Sequence, residues 1–155
     1  METLQEGKEY LRNNFEKGTE CPCCGQYVRL YKYAFHSGMS RCLILINQAT
    51  SPHKNPDGWI HVEDYFVSIG VKMKGYHGKL KYYDMIEQLP NDDTSKAKSG
   101  IWRITQKGKD FVNNKILVPK RVHLYNDRVD GWSDEQIDIV TSLGKHFNYN
   151  ELMNA

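Results

Sequence analysis

Residues 75–105 read GYHGKLKYYDMIEQLPNDDTSKAKSGIWRIT, and the elements that they predict decide the fold of this chain. A short basic helix is expected over residues 76–83, and Asp84 can adopt the left-handed turn that ends it. A strand then begins at Met85, and residues 101–105, which include a tryptophan, return as a second strand. The residues between the two strands are polar and predict an exposed loop. The predicted order is therefore helix, strand, loop, strand.

The segments around this stretch predict further helices and one short strand. Apolar residues at helical spacing indicate a helix over residues 37–48, and residues 59–61 form a minimal strand. A helix over residues 62–69 follows, and Thr105 is expected to cap another one. The pattern is typical of a winged helix-turn-helix, in which a recognition helix lies beside a β-hairpin wing. The predicted fold class is α+β, with a winged helix-turn-helix-like core over residues 37–114.

A chain of 155 residues is expected to form a single domain with one main core. Residues 1–36 add three elements in front of the predicted winged-helix core. They are a helix that starts with the capping box Thr3–Glu6, a cysteine-containing knuckle, and a strand over residues 27–35.

Residues 115–155 predict a strand and helix extension behind the core. A strand or hairpin is expected between residues 116 and 125, and residues 126–132 are interpreted as a turn. Residues 133–136 read SDEQ, a second capping box, and predict the start of a helix that carries Leu143 on its apolar face. The remaining acidic tail is expected to pack on the body of the protein.

The overall charge of +2 conceals a strong separation of charge along the chain. Residues 21–125 hold 16 basic and 8 acidic side chains, a net charge of +8, whereas residues 1–20 carry −2 and residues 126–155 carry −4. No acidic residue occurs between Tyr65 and Tyr83. Such separation creates a local field that the total charge hides, although random variation of surface charge is the alternative interpretation.

The basic middle of the chain predicts a surface for duplex DNA, because lysines neutralise phosphates and release their counterions. The predicted contacts combine the recognition helix, the segment before it, the wing and the returning strand: Lys72, Lys74, His77, Lys79, Lys81, Tyr82, Lys96, Lys98 and Arg103. Few of these side chains are suited to reading base edges, so modest sequence discrimination is expected. The alternative is a run of lysines on a solvated helix.

Cys21 and Cys24, in the sequence CPCCG, have the C-x2-C spacing of a zinc knuckle, where a tight turn aims two thiolates at one metal. A structural Zn²⁺ takes four ligands, and His36 and Cys42 are the candidates to complete the set. Cys42 is also expected on the buried face of a helix, where a cysteine behaves as a small hydrophobe. A turn without metal, and a site completed by a second subunit, are the alternatives.

The sequence lacks the motifs of common catalytic sites. It contains no H-E-x-x-H, no nucleophile elbow and no P-loop, so an enzyme is not expected. The longest apolar run, residues 42–46, is far too short to span a bilayer, and no signal-peptide pattern follows Met1. We therefore expect a cytoplasmic protein.

Two resemblances bear on function. GIWRITQKGKDF, residues 100–111, is similar to the strand-to-helix segment LT-x-x-G of many winged-helix regulators. That kinship implies DNA binding through the helix around Lys79 to Tyr82 and the wing near Lys96 and Lys98. Nearly the whole chain also resembles a family of small bacteriophage and prophage proteins, through the segments CPCCGQ, HSGMSR, KLKYYDMIE, SGIWRITQKGKDFV, VPK and NYNELM. The second resemblance implies a phage origin and a role in the cytoplasm of the infected cell, and it brings no catalytic residues.

The sequence thus predicts a small phage-type DNA-binding protein, either a regulator or an accessory factor. The alternative is a protein-interaction module that uses the winged-helix scaffold to bind a host or phage protein, with the acidic ends of the chain as its working surface. A homodimer is expected, because winged-helix DNA binders commonly pair.

Overall fold

The computed structural model describes residues 3–50, 55–90 and 100–155. Within these ranges the chain is a mixed α+β protein with seven α-helices and several small sheets. It divides into two compact units: unit 1 comprises Met1–Ala34 and Pro119–Glu135, and unit 2 comprises Phe35–Val118 and Gln136–Ala155. The C-terminal extension that the sequence predicts is therefore shared between the two units.

The helices and strands follow one another along the chain, and a single turn of 3-10 helix (Lys81–Tyr83) extends α4. In order they are α1 (Leu4–Asn14), β1 (Thr19–Glu20), β2 (Tyr27–Val28), β3 (Tyr31–Ala34), α2 (Ser37–Ala49), β4 (Ile60–His61), α3 (Val62–Ser68), α4 (His77–Leu80), β5 (Ile86–Gln88), β6 (Ile101–Ile104), α5 (Gln106–Val112), β7 (Val118–Pro119), β8 (Arg121–Tyr125), β9 (Arg128–Trp132), β10 (Gln136–Ile137), α6 (Ile139–Leu143) and α7 (Tyr149–Met153). No helix in the described ranges is long and apolar enough to cross a membrane.

Unit 1 consists of α1, a two-stranded hairpin of β1 and β2, and an antiparallel sheet in the order β3-β8-β9. The capping box of α1 is confirmed by its first half, because Thr3 Oγ1 accepts the Glu6 N–H at 3.1 Å. The single strand predicted over residues 27–35 is interrupted, so that β2 and β3 belong to different sheets. At the interruption the Leu30 N–H donates to the Phe15 carbonyl oxygen at 2.8 Å, and Leu30 is buried.

The turn predicted for residues 126–132 is wrong beyond its first two residues. Asn126 and Asp127 have φ of 50° and 60°, and Arg128–Trp132 returns as β9, paired with β8. Asn and Asp tolerate positive φ, which a tight two-residue hairpin of the primed type requires. The segment that forms β9 is largely polar and lacks the apolar alternation by which a strand is predicted. Its strand conformation comes from pairing with β8.

The helix start predicted at residues 133–136 is also wrong. Ser133 Oγ accepts the Arg121 N–H at 2.9 Å instead of capping a helix. The helix α6 begins at Ile139, because the Asp138 carboxylate accepts the Thr141 N–H at 2.6 Å and takes the capping role. The strand β10 occupies part of the segment in which the helix is predicted.

Unit 2 is built around α2, whose side chains form much of its core. Met39, Cys42, Leu43 and Ile46 are buried as the apolar pattern predicts, and α2 contacts α4, α5 and α6. His36, rather than Ser37, is the capping residue of α2, so the helix already includes Ser37. Three strands of this unit form an antiparallel sheet in the order β4-β6-β5.

The segment from α4 to α5 folds largely as the sequence predicts. Leu80 and Tyr83 of the predicted recognition helix are fully buried, and Asp84 ends this helix with φ of 57°. On β6, Trp102 is buried and Arg103 faces the opposite side of the sheet. The loop predicted as the wing falls mostly on residues 91–99, outside the described ranges.

Candidate nucleic-acid interface

The start of α2 and the segment between α3 and α4 line one cavity of about 330 Å³ in unit 2, here called the basic cavity. Its cationic lining consists of Arg41 from α2 with Lys72 and Lys74 from the connecting segment. Two histidines, His36 and His146, also line it. None of the described residues that line the basic cavity is acidic, so its field is positive.

The rim of the basic cavity depends on a close approach at the first turn of α2. His36 Nδ1 accepts the Gly38 N–H at 3.0 Å, and the Tyr76 ring meets the His36 ring edge-on at 4.7 Å. A Cβ on Gly38 would lie 2.5 Å from the Tyr76 ring, so glycine leaves the room that this ring occupies. Burial lowers the pKa of His36, which keeps its imidazole neutral and able to accept that hydrogen bond.

The three cations of the basic cavity are available to a ligand. The Arg41 guanidinium carbon lies 5.1 Å from the Phe147 ring centroid, a stacking contact that orients the group without neutralising it. Lys72 and Lys74 are exposed. Within the described part of the chain, no carboxylate forms an ion pair with any of the three.

The predicted recognition helix presents some of its expected side chains and packs others. Lys81 is exposed, and its ammonium lies 5.7 Å from the Tyr82 ring centroid. Lys79 is half-buried. The His77 ring meets the Trp102 ring edge-on at 5.7 Å, so His77 helps to pack α4 against the sheet. Tyr82, like Lys79, is half-buried, so Lys81 is the side chain of this helix that is best placed for an external contact.

Arg103 belongs to a different cluster from the basic cavity. It forms an ion pair with Glu87, its partner on the neighbouring strand β5, and its guanidinium carbon lies 4.4 Å from the Trp59 ring centroid. Its charge is thus already balanced within the sheet. Lys96 and Lys98, which the sequence predicts as wing contacts, lie outside the described residues.

Sequence reasoning missed Arg41, His146 and Phe147 as part of this surface. Arg41 is the one charged residue of α2, and a lone cation on a largely apolar helix is a signal that could have drawn attention to it. His146 and Phe147 follow α6, far along the chain, and only the folded unit brings them to the cavity.

The cysteine knuckle forms a separate site in unit 1, at the turn between β1 and β2. The Cys21 N–H donates to the Gln26 carbonyl oxygen at 2.7 Å, and the Gly25 N–H donates to the Cys21 carbonyl oxygen at 2.8 Å. The backbone N–H of Cys23, followed by the backbone N–H and thiol of Cys24, donates to the Cys21 sulfur and lowers the pKa of that thiol.

The two residues expected to complete a zinc site belong to unit 2, where each has another role. Burial raises the pKa of the Cys42 thiol to about 12, and His36 Nδ1 is engaged at the start of α2. Within the described ranges, no group of three or more His, Cys, Asp or Glu side chains could hold a metal ion. Zinc at Cys21 and Cys24 stays a prediction.

Comparison with known proteins found no match, so a function can be proposed only from the geometry of the chain. The similarity to phage proteins and to winged-helix regulators stays a prediction from sequence motifs. Neither a protein-family model, nor a curated protein, nor a solved structure matches the chain.

Proposed function

We propose that unit 2 is a winged-helix module that binds duplex DNA, and that the chain is a small regulatory or accessory DNA-binding factor. The order of its elements supports this proposal: α2, β4, α3, α4, β5 and β6 follow one another, and β6 lies between β4 and β5 in the sheet. A winged helix arranges a helix, a strand, two helices and a returning hairpin in this way, with α4 as the recognition helix.

The convergence of Arg41, Lys72 and Lys74 on the basic cavity is the observation that carries the proposed activity. The first turn of α2 lines the same cavity, and the N–H groups and dipole of a helix start favour an anion. A phosphate of the DNA backbone fits both features. Because Lys72 and Lys74 lie in the segment that leads into α4, a phosphate held there would position that helix beside the duplex.

The proposed mode of binding is dominated by phosphate contacts. Lys72, Lys74 and Lys81 supply charge, and Tyr82 supplies a ring for stacking or backbone contact. Phosphate contacts fix position and orientation, whereas sequence is read by groups that form paired hydrogen bonds with base edges. We therefore expect affinity that depends steeply on salt and only modestly on sequence.

A salt titration tests this proposal. The affinity for a short random-sequence duplex is measured by fluorescence anisotropy across a series of salt concentrations, for the original chain and for the double variant Lys72→Ala with Lys74→Ala. Loss of two phosphate contacts should reduce the slope of log K against log salt by about 1.8, at about 0.9 for each contact. The double variant Lys107→Ala with Lys115→Ala is the matched control.

The control removes the same charge from exposed positions of unit 2 that do not line the basic cavity. Its slope should equal that of the original chain. Equal slopes for both double variants would reject the basic cavity as the phosphate site. Absence of measurable DNA binding by the original chain at low salt would reject the proposed function itself.

A protein-interaction module is the second proposal, and the surface of unit 1 favours it. Tyr27, Tyr31 and Tyr33 are 57%, 44% and 40% exposed, and Tyr31 and Tyr33 stack with centroids 6.0 Å apart. Exposed tyrosines of this kind are enriched at protein interfaces. Pull-down from a host lysate with and without nuclease separates the two proposals, since a partner retained after nuclease treatment supports direct protein contact.

A further inference from the structure

The turn that carries Cys21 and Cys24 is fixed by a hairpin and by its own hydrogen bonds. Thr19 pairs with Val28 and Glu20 pairs with Tyr27, so residues 21–26 form the end of the β1–β2 hairpin. The hydrogen bonds from the Cys21 and Gly25 amides close this turn, and Gly25 adopts φ of 76°. An ideal Cβ on Gly25 would meet nothing within 4 Å, so a side chain would not clash there. Glycine is favoured at this position because of the positive φ.

The same turn directs two cysteine side chains to one place, because Cys21 and Cys24 both line a cavity of about 290 Å³ in unit 1. The C-x2-C spacing of CPCCG on a tight turn that ends in glycine is that of a zinc knuckle, in which two thiolates bind one metal. Cys21 and Cys24 are therefore placed to bind one metal ion together.

The described residues of one chain offer half of a closed tetrahedral site. A structural Zn²⁺ takes four ligands, and in the described ranges no third His, Cys, Asp or Glu side chain joins Cys21 and Cys24 in a metal-binding group. Cys24 is exposed at the hairpin end, so a second molecule can reach it. Two identical thiolate pairs satisfy the coordination of one ion.

We propose that Cys21 and Cys24 of two copies of this chain bind a single Zn²⁺ as a four-cysteine site that joins the copies. Four thiols release their protons to solvent, four Zn–S bonds form, and no oxidant or reductant takes part. The proposal is independent of DNA binding, because it concerns the hairpin of unit 1 alone. If unit 2 binds DNA as well, the zinc-bridged pair carries two DNA-binding units, which raises avidity without any new DNA contact.

The test combines metal analysis with molar mass. The full chain, purified with zinc and a reductant present, is separated by size-exclusion chromatography with light scattering, and the zinc content of each peak is measured. We expect a dimer with one zinc for every two chains, and conversion to a metal-free monomer on addition of a strong chelator. X-ray absorption at the zinc edge should give four sulfur neighbours at about 2.3 Å.

Single cysteine variants assign the ligands. Cys21→Ser and Cys24→Ser should each be monomers that retain less than one tenth of the zinc, whereas Cys23→Ser, the matched control in the same turn, should keep both zinc and dimer. Circular dichroism of the chelated original chain gives the spectrum of the metal-free protein. A variant whose spectrum differs from it has failed to fold and is set aside. Wild-type protein without zinc, a monomer with one zinc per chain, or a dimer that resists the chelator would each overturn the proposal.

Discussion

Gly108 of α5 lies so close to the backbone of Met85 that an added Cβ would stand 2.3 Å from the Met85 carbonyl oxygen. The contact follows from the capping of α5, because Thr105 Oγ1 accepts the Gly108 N–H at 3.1 Å and donates to the Asp84 carbonyl oxygen at 2.6 Å. One threonine thus joins the start of α5 to Asp84, which ends the 3-10 turn after α4. The glycine keeps the two backbones at the distance that this junction needs.

Replacing Gly108 with alanine should destabilise the protein despite the better helix propensity of alanine. The overpacking cost of about 1 to 3 kcal/mol falls on a backbone atom that cannot rotate away, and the propensity gain of up to about 1 kcal/mol offsets part of it. We expect a net loss of about 1 to 2 kcal/mol in the free energy of unfolding, measured by urea denaturation. Gly78→Ala is the control, because a Cβ on Gly78 meets nothing within 4 Å. If Gly108→Ala were as stable as Gly78→Ala, the close contact would not exist.

Arg41→Lys should weaken DNA binding without changing its salt dependence. Lysine keeps the charge at the basic cavity but loses the guanidinium fork, which Phe147 orients by stacking and which can give a phosphate two parallel hydrogen bonds. Loss of one such hydrogen bond, worth about 0.5 to 1.5 kcal/mol, should lower the affinity about two- to tenfold. Anisotropy titrations at several salt concentrations measure both quantities. Arg128→Lys, at an exposed position of β9 in unit 1, should leave both unchanged. An affinity equal to that of the original chain would show that the stacked geometry does not matter for binding.

The parts of the fold that the sequence predicts are those set by local chemistry. The capping role of Thr105 and the left-handed conformation of Asp84 depend only on neighbouring backbone groups. The identity of each residue is therefore enough to predict them. The strand β9 and the place of Arg41 in the basic cavity depend on residues far along the chain. Pairing with β8 makes a strand of a polar segment, and tertiary packing brings Phe147 to Arg41. No local pattern carries that information.

The four cysteines should differ strongly in their reaction with iodoacetamide. In metal-free folded protein, the lowered pKa of Cys21 keeps more of its thiol ionised near neutral pH. Because the thiolate is the form that reacts, the alkylation rate of Cys21 should reach its maximum at a lower pH than in the urea-unfolded chain. Cys42 is buried and has a pKa raised to about 12, so it should react only after unfolding. Peptide mass spectrometry at a series of pH values measures each rate. Labelling of Cys42 in native protein at the rate of the exposed Cys23 would contradict the packing of α2.

Protonation of His36 should destabilise unit 2 at mildly acidic pH. Burial lowers the pKa of His36 below its usual 6.5, so the unfolded chain binds a proton more readily than the folded one. The stabilising contribution is therefore complete above pH about 6.5 and is lost as the pH falls from there through the lowered folded value. The charged imidazole would also lose the hydrogen bond that Nδ1 accepts from Gly38 and would face Arg41, Lys72 and Lys74 across the basic cavity.

The variant His36→Asn separates this effect from the other histidines. Asparagine is a good helix cap and does not titrate, so the variant should keep α2 intact while its stability changes less between pH 7.5 and pH 5.5, two conditions about one unit either side of 6.5. Urea denaturation at both values gives the difference for each protein. The original chain should lose more stability than the variant, since only its α2 cap gains a proton in this interval. An equal loss in both proteins would mean that other groups control the acid sensitivity and that the His36 imidazole titrates as it does in the unfolded chain.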